Sequence, residues 1–239
     1  ASGGVGALTY SLVGNATGAY GVIQINADGS YVYTLTRPYT TVPAANNGAS
    51  TEESRDVFTY QVTDANGNTT TGTITVDIVD DVPTATVDTN SVTEGSLLSV
   101  NAANGLLSND VAGADGLAAN GGVVGVKAGT DAATPVTDGV GTAIAGAYGT
   151  LTVQADGSYT YQSHPNAMTE AATDSFVYTL QDADGDYATT TLTINLSDSG
   201  LIASADNDVL VEERALDTVQ SGQDLAASTV TGSLPGSTA

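Results

Sequence analysis

Two stretches of this chain are nearly the same. Residues 18–33 read GAYGVIQINADGSYVY and residues 146–161 read GAYGTLTVQADGSYTY, identical at ten of sixteen positions. A second block repeats too: DVFTYQVTDANGNTTTGTITVDIVDD at 56–81 against DSFVYTLQDADGDYATTTLTINLSDS at 174–199. Self-similarity of this length constrains the fold to a tandem array of one structural module. It turns the functional question from what is catalysed to what is spanned, held or presented.

Within each copy the apolar residues alternate. Phe58, Tyr60 and Val62 are separated by Thr59 and Gln61, and Ile74, Val76 and Ile78 by Thr75 and Asp77. The second copy repeats this with Phe176, Tyr178 and Leu180, then Leu192, Ile194 and Leu196. A period of two places one strand face in a core and the other in water. Asp28-Gly29 and Asp156-Gly157 sit between such runs and predict hairpin turns. Tyr31, Tyr33, Tyr60, Tyr159, Tyr161 and Tyr178 take strand positions, so core packing with hydroxyls at the rim is expected, ahead of sugar stacking. Helical periodicity is confined to a weak pattern at 212–219. The expected class is all-β.

The copies are not in constant register. Tyr20 maps to Tyr148 at an offset of 128, but Phe58 maps to Phe176 at an offset of 118. The ten extra residues of copy one fall in 36–55, a polar Pro/Asn/Ser segment that reads as a long surface loop. The chain divides into 1–80, the C-terminal part of a repeat; 81–87, a linker; 88–198, a complete repeat; 199–205, a linker; and 206–239, the N-terminal part of a following repeat. In that last part Asp206 and Glu212 match Asp88 and Glu94. Two explanations of the ends stay open: a slice cut without regard to domain borders, or a tail that completes the head of a next unit by strand addition. With no signal-peptide pattern and Met168 as the single methionine, the expectation is an internal piece of something larger.

Charge narrows the partners. Twenty-seven acidic residues face four basic ones, for a formal net charge of -23. Such a chain repels nucleic-acid phosphates and anionic membrane surfaces, and no apolar run is long enough to span a bilayer. There is no cysteine, so cores or metal ions must supply stability.

The strongest local motif is Asp182-Ala-Asp184-Gly-Asp186. Three carboxylates at alternate positions around a glycine turn can converge on one hard cation, calcium above all. The same residues also suit a plain hairpin turn. In copy one the motif weakens to Asp64-Ala-Asn66-Gly-Asn68, with one charge left. Catalytic candidates are poor. His164 is the only histidine and precedes Pro165, no spacing supports a Ser–His–Asp set, and there is no Trp to flank a glycosidase carboxylate pair. No enzyme is expected.

The blocks YGxxxxxxDGSYxY (20–33 and 148–161) and DxFxYxxxDAxGxxxxT (56–71 and 174–189), the joint DDVPTA (80–85) and the run GLLSNDVAGADG (105–116) resemble VCBS-type and cadherin-like repeats. Those repeats belong to giant bacterial biofilm adhesins exported by type I secretion. The resemblance covers nearly the whole chain. The glycine-rich nonapeptide repeat of the secretion signal is absent from it. The resemblance implies tandem Ig-like or cadherin-like β-sandwiches, secretion to the bacterial cell surface, and calcium in loops and joints. At the first joint it implicates Asp80, Asp81, Asp88 and Glu94, with Asp110 and Asp115 as neighbours. At the second it implicates Asp198, Asp206, Asp208 and Glu212. A solvated acidic linker is the alternative at both. The expected role is a calcium-stiffened extender of a secreted surface adhesin or extracellular fibre, partnered by neighbouring repeats, in cell adhesion and biofilm formation. The alternatives are a glycan- or peptide-binding module, through the 36–55 loop or the 116–147 insertion, and a filament subunit joined by strand complementation.

Overall fold

The computed structural model describes residues 3–39 and 48–201. The chain forms two units, 1–198 and 199–239, and only Ser199, Gly200 and Leu201 of the second are described. The weak helical pattern at 212–219 and the acids Asp206, Asp208 and Glu212 lie outside the described residues. Among those residues there is no α-helix, and no helix is long and apolar enough to cross a membrane.

Thirteen strands follow in order: β1 (Thr9–Val13), β2 (Gly21–Ile25), β3 (Tyr31–Leu35), β4 (Thr51–Thr63), β5 (Thr69–Val79), β6 (Asp88–Thr93), β7 (Leu97–Val100), β8 (Val123–Ala128), β9 (Ile144–Ala145), β10 (Gly149–Val153), β11 (Tyr159–Ser163), β12 (Ala172–Gln181) and β13 (Tyr187–Ser197). In the first 79 residues β1-β4-β5 form one sheet and β2-β3 a hairpin. Beyond residue 80 the sheets are β7-β11-β10-β9 and β6-β13-β12-β8. All pairs are antiparallel except β6 with β13. The duplicated blocks become duplicated hairpins: β2-β3 matches β10-β11, and β4-β5 matches β12-β13. Asp28-Gly29 and Asp156-Gly157 form the turns, and both glycines have the positive φ that this turn needs (88° and 81°).

The alternating residues meet between the two sheets of the second module. Leu151, Val153, Tyr159 and Tyr161 pack against Phe176, Tyr178, Leu192, Ile194 and Leu196, with Val123, Val126 and Leu106 closing the core. Tyr159, Tyr161 and Tyr178 are buried, as a core role requires. Tyr33 and Tyr60 are half-buried, and Tyr31 is 53% exposed, because among the described residues no strand flanks β3 where β7 flanks β11. Thr179 and Val177 point to the other face of β12 yet are also fully buried. Part of the 116–147 insertion covers them: the Val136 N–H donates to Thr179 Oγ1 at 2.8 Å.

One carboxylate per module explains why the GAYG block recurs. Asp56 accepts the N–H groups of Ala19, Tyr20 and Gly21 and the Tyr33 hydroxyl. Asp174 accepts those of Ala147 and Tyr148 and the Tyr161 hydroxyl. A Cβ on Gly18 would sit 2.4 Å from the Asp56 carboxylate, and one on Gly146 2.2 Å from that of Asp174. The glycine is therefore what lets a buried carboxylate reach the loop's backbone donors. Burial pushes the Asp56 carboxyl up, but the Tyr33 hydroxyl and three N–H groups outweigh it and leave it below its ordinary value.

Candidate metal centre

The DADGD motif is the turn between β12 and β13. Asp182 closes it by accepting the N–H groups of Gly185 and Asp186 on Oδ1, at 3.0 and 2.7 Å. Loop 111–118 lies alongside, held by Ala118 N–H to the Gln181 carbonyl and Ala183 N–H to the Gly116 carbonyl. The linker after β5 runs to the same place. Thr84 and Val111 exchange backbone bonds, and Asp81 Oδ2 accepts the Ala114 N–H at 2.7 Å.

Three segments far apart in sequence thus bring their acids together. Asp80, Asp184 and Asp186 each place a carboxylate oxygen within 4.8 Å of the others, and so do Asp80, Asp81 and Asp115. Asp80 belongs to both sets. Asp80, Asp182, Asp184 and Asp186 are all buried. Both oxygens of Asp115, Oδ2 of Asp182 and Oδ2 of Asp186 are buried with no hydrogen-bond partner. Buried carboxylate oxygens without donors are costly unless a cation faces them. Desolvation, then the neighbouring charges of Asp184, Asp80 and Asp81, push the Asp115 carboxyl up to about 6. Desolvation and the Asp184 contact push Asp182 up to about 7, against the pull of its two turn N–H groups. Asp186 is also raised, by burial first and then by the charges of Asp184 and Asp81. The donor set is oxygen only, which fits a hard divalent cation such as calcium and suits neither zinc nor a redox metal.

The DADGD motif and the acidic pair of the joint are therefore one site, with Asp115 a full member. The remaining acids expected at the first joint lie elsewhere. Asp88 and Asp110 flank the Tyr178 hydroxyl at 2.8 and 3.0 Å, with Asp110 also accepting the Thr86 N–H. Burial raises both carboxyls, Asp88 to about 6. Glu94 follows β6 and accepts the N–H groups of Ala167 and Met168, while its own N–H donates to the Ser197 carbonyl. Asp198 also follows Ser197, so both lie at the end of β13 opposite Asp186, about 35 Å away for an extended strand of that length. In copy one Asp64 is occupied by its own loop and by the N-terminal segment. It accepts Asn66 N–H, Asn68 N–H and the Asn68 side-chain amide, a plain hairpin-turn arrangement, and also the Val5 N–H. Asn66 and Asn68 complete that turn, and among the described residues Asp64 belongs to no cluster of three acids that could hold a metal ion.

Sequence reasoning missed the tie to the first module. The Gly48 N–H donates to Asp186 Oδ1 at 3.0 Å, and the Asp80 N–H to the Ser50 carbonyl at 2.8 Å. No local pattern signals either contact. It also missed Asp56 and Asp174, although their identical place at the head of each DxF block was the signal.

A model of the bacterial cadherin-like domain matches residues 80–198, and one of the bacterial Ig domain matches residues 3–77. The chain is 32% identical over 197 residues to the calcium-binding lectin RapA2 of Rhizobium johnstonii (strain DSM 114642 / LMG 32736 / 3841), covering 78% of this chain and 76% of that protein. Among solved structures, the human desmocollin-1 ectodomain is similar at 14% identity and a TM-score of 0.26, covering 87% of this chain and 37% of its own. Mouse clustered PcdhgC3 EC1-3 is similar at 12% identity and a TM-score of 0.29, covering 80% and 54%.

Proposed function

The chain belongs to the family of bacterial cadherin-like and Ig-like domain proteins that includes RapA2, and from that premise we propose that it is a calcium-stiffened extender of a secreted bacterial surface adhesin. The observation that carries this reading is the position of the acidic site. It sits where the linker between the modules, the β12-β13 turn and loop 111–118 meet, with the backbone of the first module in contact.

Asp80, Asp81, Asp115, Asp182, Asp184 and Asp186 would hold the ion. Calcium would supply positive charge among these carboxylates. Two carboxylates 4.8 Å apart repel by about 3.5 kcal/mol at an effective dielectric of 20. Without a cation that repulsion acts between linker and turn and favours a bent or loosened joint. With it neutralised, the hydrogen bonds from Gly48, Asp80 and Ala114 fix the joint. The protein would then act in adhesion and biofilm formation by holding a binding tip away from a cell, in series with neighbouring repeats. The proposal assigns it no catalytic step.

Calorimetric titration of the chelated chain with calcium tests this directly, read beside small-angle scattering. Saturable binding with a narrower distribution of intramolecular distances is expected. The absence of binding in the wild-type chain, or binding that survives Asp184→Asn and Asp186→Asn together, refutes it. The likeness to a protein named as a lectin favours one second reading, a glycan-binding module. A glycan array carried out with and without calcium distinguishes the two.

A further inference from the structure

Asp186 has two differently employed oxygens. Oδ2 is buried without a hydrogen-bond partner, beside Asp80 and Asp184. Oδ1 accepts the N–H of Gly48, which comes from the first module. Gly48 sits at φ +122°, a conformation that a side chain would strain, and two residues on, Ser50 receives the Asp80 N–H on its carbonyl. The structure shortens the expected 36–55 loop, since β4 already begins at Thr51, and its other foot, after β3, is fixed differently. The Tyr39 ring lies 5.2 Å from that of Tyr20 and carries the Arg55 guanidinium 4.6 Å from its centroid. One foot is held by a tilted ring pair and a guanidinium of its own module. The other is held by a carboxylate of the neighbouring module.

We infer that Asp186 is a positioning residue that couples cation occupancy to the first module, by presenting one oxygen to the ion and the other to the Gly48 amide. This rests on the calcium reading of the site. The physical reason is that one carboxylate cannot serve the two roles independently. When the acids at Asp80, Asp184 and Asp186 face each other unneutralised, the repulsion is relieved by rotating a carboxylate away. That rotation weakens the charge-assisted bond to Gly48. An ion that holds Oδ2 fixes the rotamer, so Oδ1 stays aimed at Gly48. Segment 48–50 is then positioned from the neighbouring module, and the Tyr39 foot is indifferent to the ion.

Amide hydrogen exchange by NMR on the full chain tests this, with calorimetry on the same sample. After chelation the Gly48 amide is expected to exchange about tenfold faster. The Ile23 amide, bonded to the Ala16 carbonyl, and the Val123 amide, bonded to the Ala155 carbonyl, should keep their rates. In Asp115→Asn, which leaves Gly48 and its acceptor untouched, Gly48 protection should return only at the higher calcium concentration that calorimetry finds for that variant. If calorimetry shows calcium bound while the Gly48 rate is the same with and without it, the coupling is wrong and the metal site stands. If no calcium binds, both fall. If Ile23 and Val123 accelerate together with Gly48, the ion stabilises the whole fold and the specific role of Asp186 is overturned.

Discussion

Removing the Asp174 carboxylate is expected to destabilise the second module by about 4 kcal/mol, a large share of the roughly 5–15 kcal/mol that holds a typical domain folded. Asp174 is 4% exposed and accepts from Ala147 N–H at 2.8 Å, Tyr148 N–H at 3.1 Å and the Tyr161 hydroxyl at 2.5 Å. Hydrogen bonds to a charged acceptor contribute about 1.5–3 kcal/mol each, so three give a gross loss of about 4.5–9 kcal/mol. The desolvation cost of the carboxylate itself, several kcal/mol, is recovered when it is removed. The two part-buried N–H groups and the buried hydroxyl remain without an acceptor in Asp174→Ala, which keeps the net loss near the 3–5 kcal/mol typical of removing one partner from a buried charged contact. Tyr161→Phe removes a single bond and should cost about 1.5 kcal/mol. The double variant should cost less than the sum, because both changes delete the same contact. Urea denaturation of the full chain, followed at amide resonances of β10 to β13, measures all three. The Asp56→Ala counterpart should lower stability at β2 to β5 instead. A loss under about 1 kcal/mol for Asp174→Ala would refute the reasoning, since it would mean that the duplicated GAYG loop finds other acceptors at little cost.

In chelator, stability should rise as pH falls from 7 toward 5. Asp182 titrates at about 7 and Asp115 and Asp88 at about 6 when folded, all above the ordinary 3.8, so the folded state binds more protons across that window. The gain is complete only below the unfolded value, and saturating calcium, which requires ionised carboxylates, should remove the share that comes from Asp182 and Asp115 and leave that of Asp88, which lies at Tyr178. Melting curves at pH 5, 6 and 7 with and without calcium check this. Below about 4 the slope should reverse, because Asp64, held at about 2 by the Asn68 side chain and backbone donors, and Asp56, also lowered, then take up protons on unfolding. Asp64→Asn should leave the calcium-binding isotherm unchanged, since both of its oxygens serve its own loop and the Val5 N–H. Gly125→Ala should cost about 3 kcal/mol or more in urea denaturation, because its Cβ would stand 1.9 Å from the Val136 carbonyl oxygen, where backbone must move.

The β architecture was legible because its signals are local. Alternation at Phe176, Tyr178 and Leu180 needs only a window of five residues, and Asp-Gly between two such runs defines a turn whatever lies elsewhere. The site was legible only in pieces. The DADGD turn and the acidic pair at Asp80 and Asp81 each announce themselves, but a hundred residues separate them. Their convergence follows from the long β12-β13 hairpin and from loop 111–118 crossing between turn and linker, which no local pattern encodes. The same separation hid Gly48. Conversely, Asp88, Asp110 and Glu94 carry the same composition as the site and lie near it in sequence, yet the strand that begins at Asp88 directs them to Tyr178 and to the far end of the sandwich.

Comparison of the two copies separates the acids by task, and it does so on physical grounds. Asp56 and Asp174 occupy the same place in both modules, and their oxygens go to loop N–H groups and a tyrosine hydroxyl. Any module that keeps the loop needs that acceptor, so the acid recurs with the fold. Asp64 and Asp182 recur for the same reason, each closing its turn. Asp184 and Asp186 stand where copy one has Asn66 and Asn68, so the turn does not need their charge. They add two anions to a place that already holds Asp80, Asp81 and Asp115, and Asp186 leaves a buried oxygen there with no donor facing it. Folding alone selects against such an arrangement, because each added charge raises the cost of burying the next. What the second turn has beyond the first is therefore a liability to the fold unless a cation offsets it, which is why the proposed calcium role is placed at this joint and not at the turn of copy one.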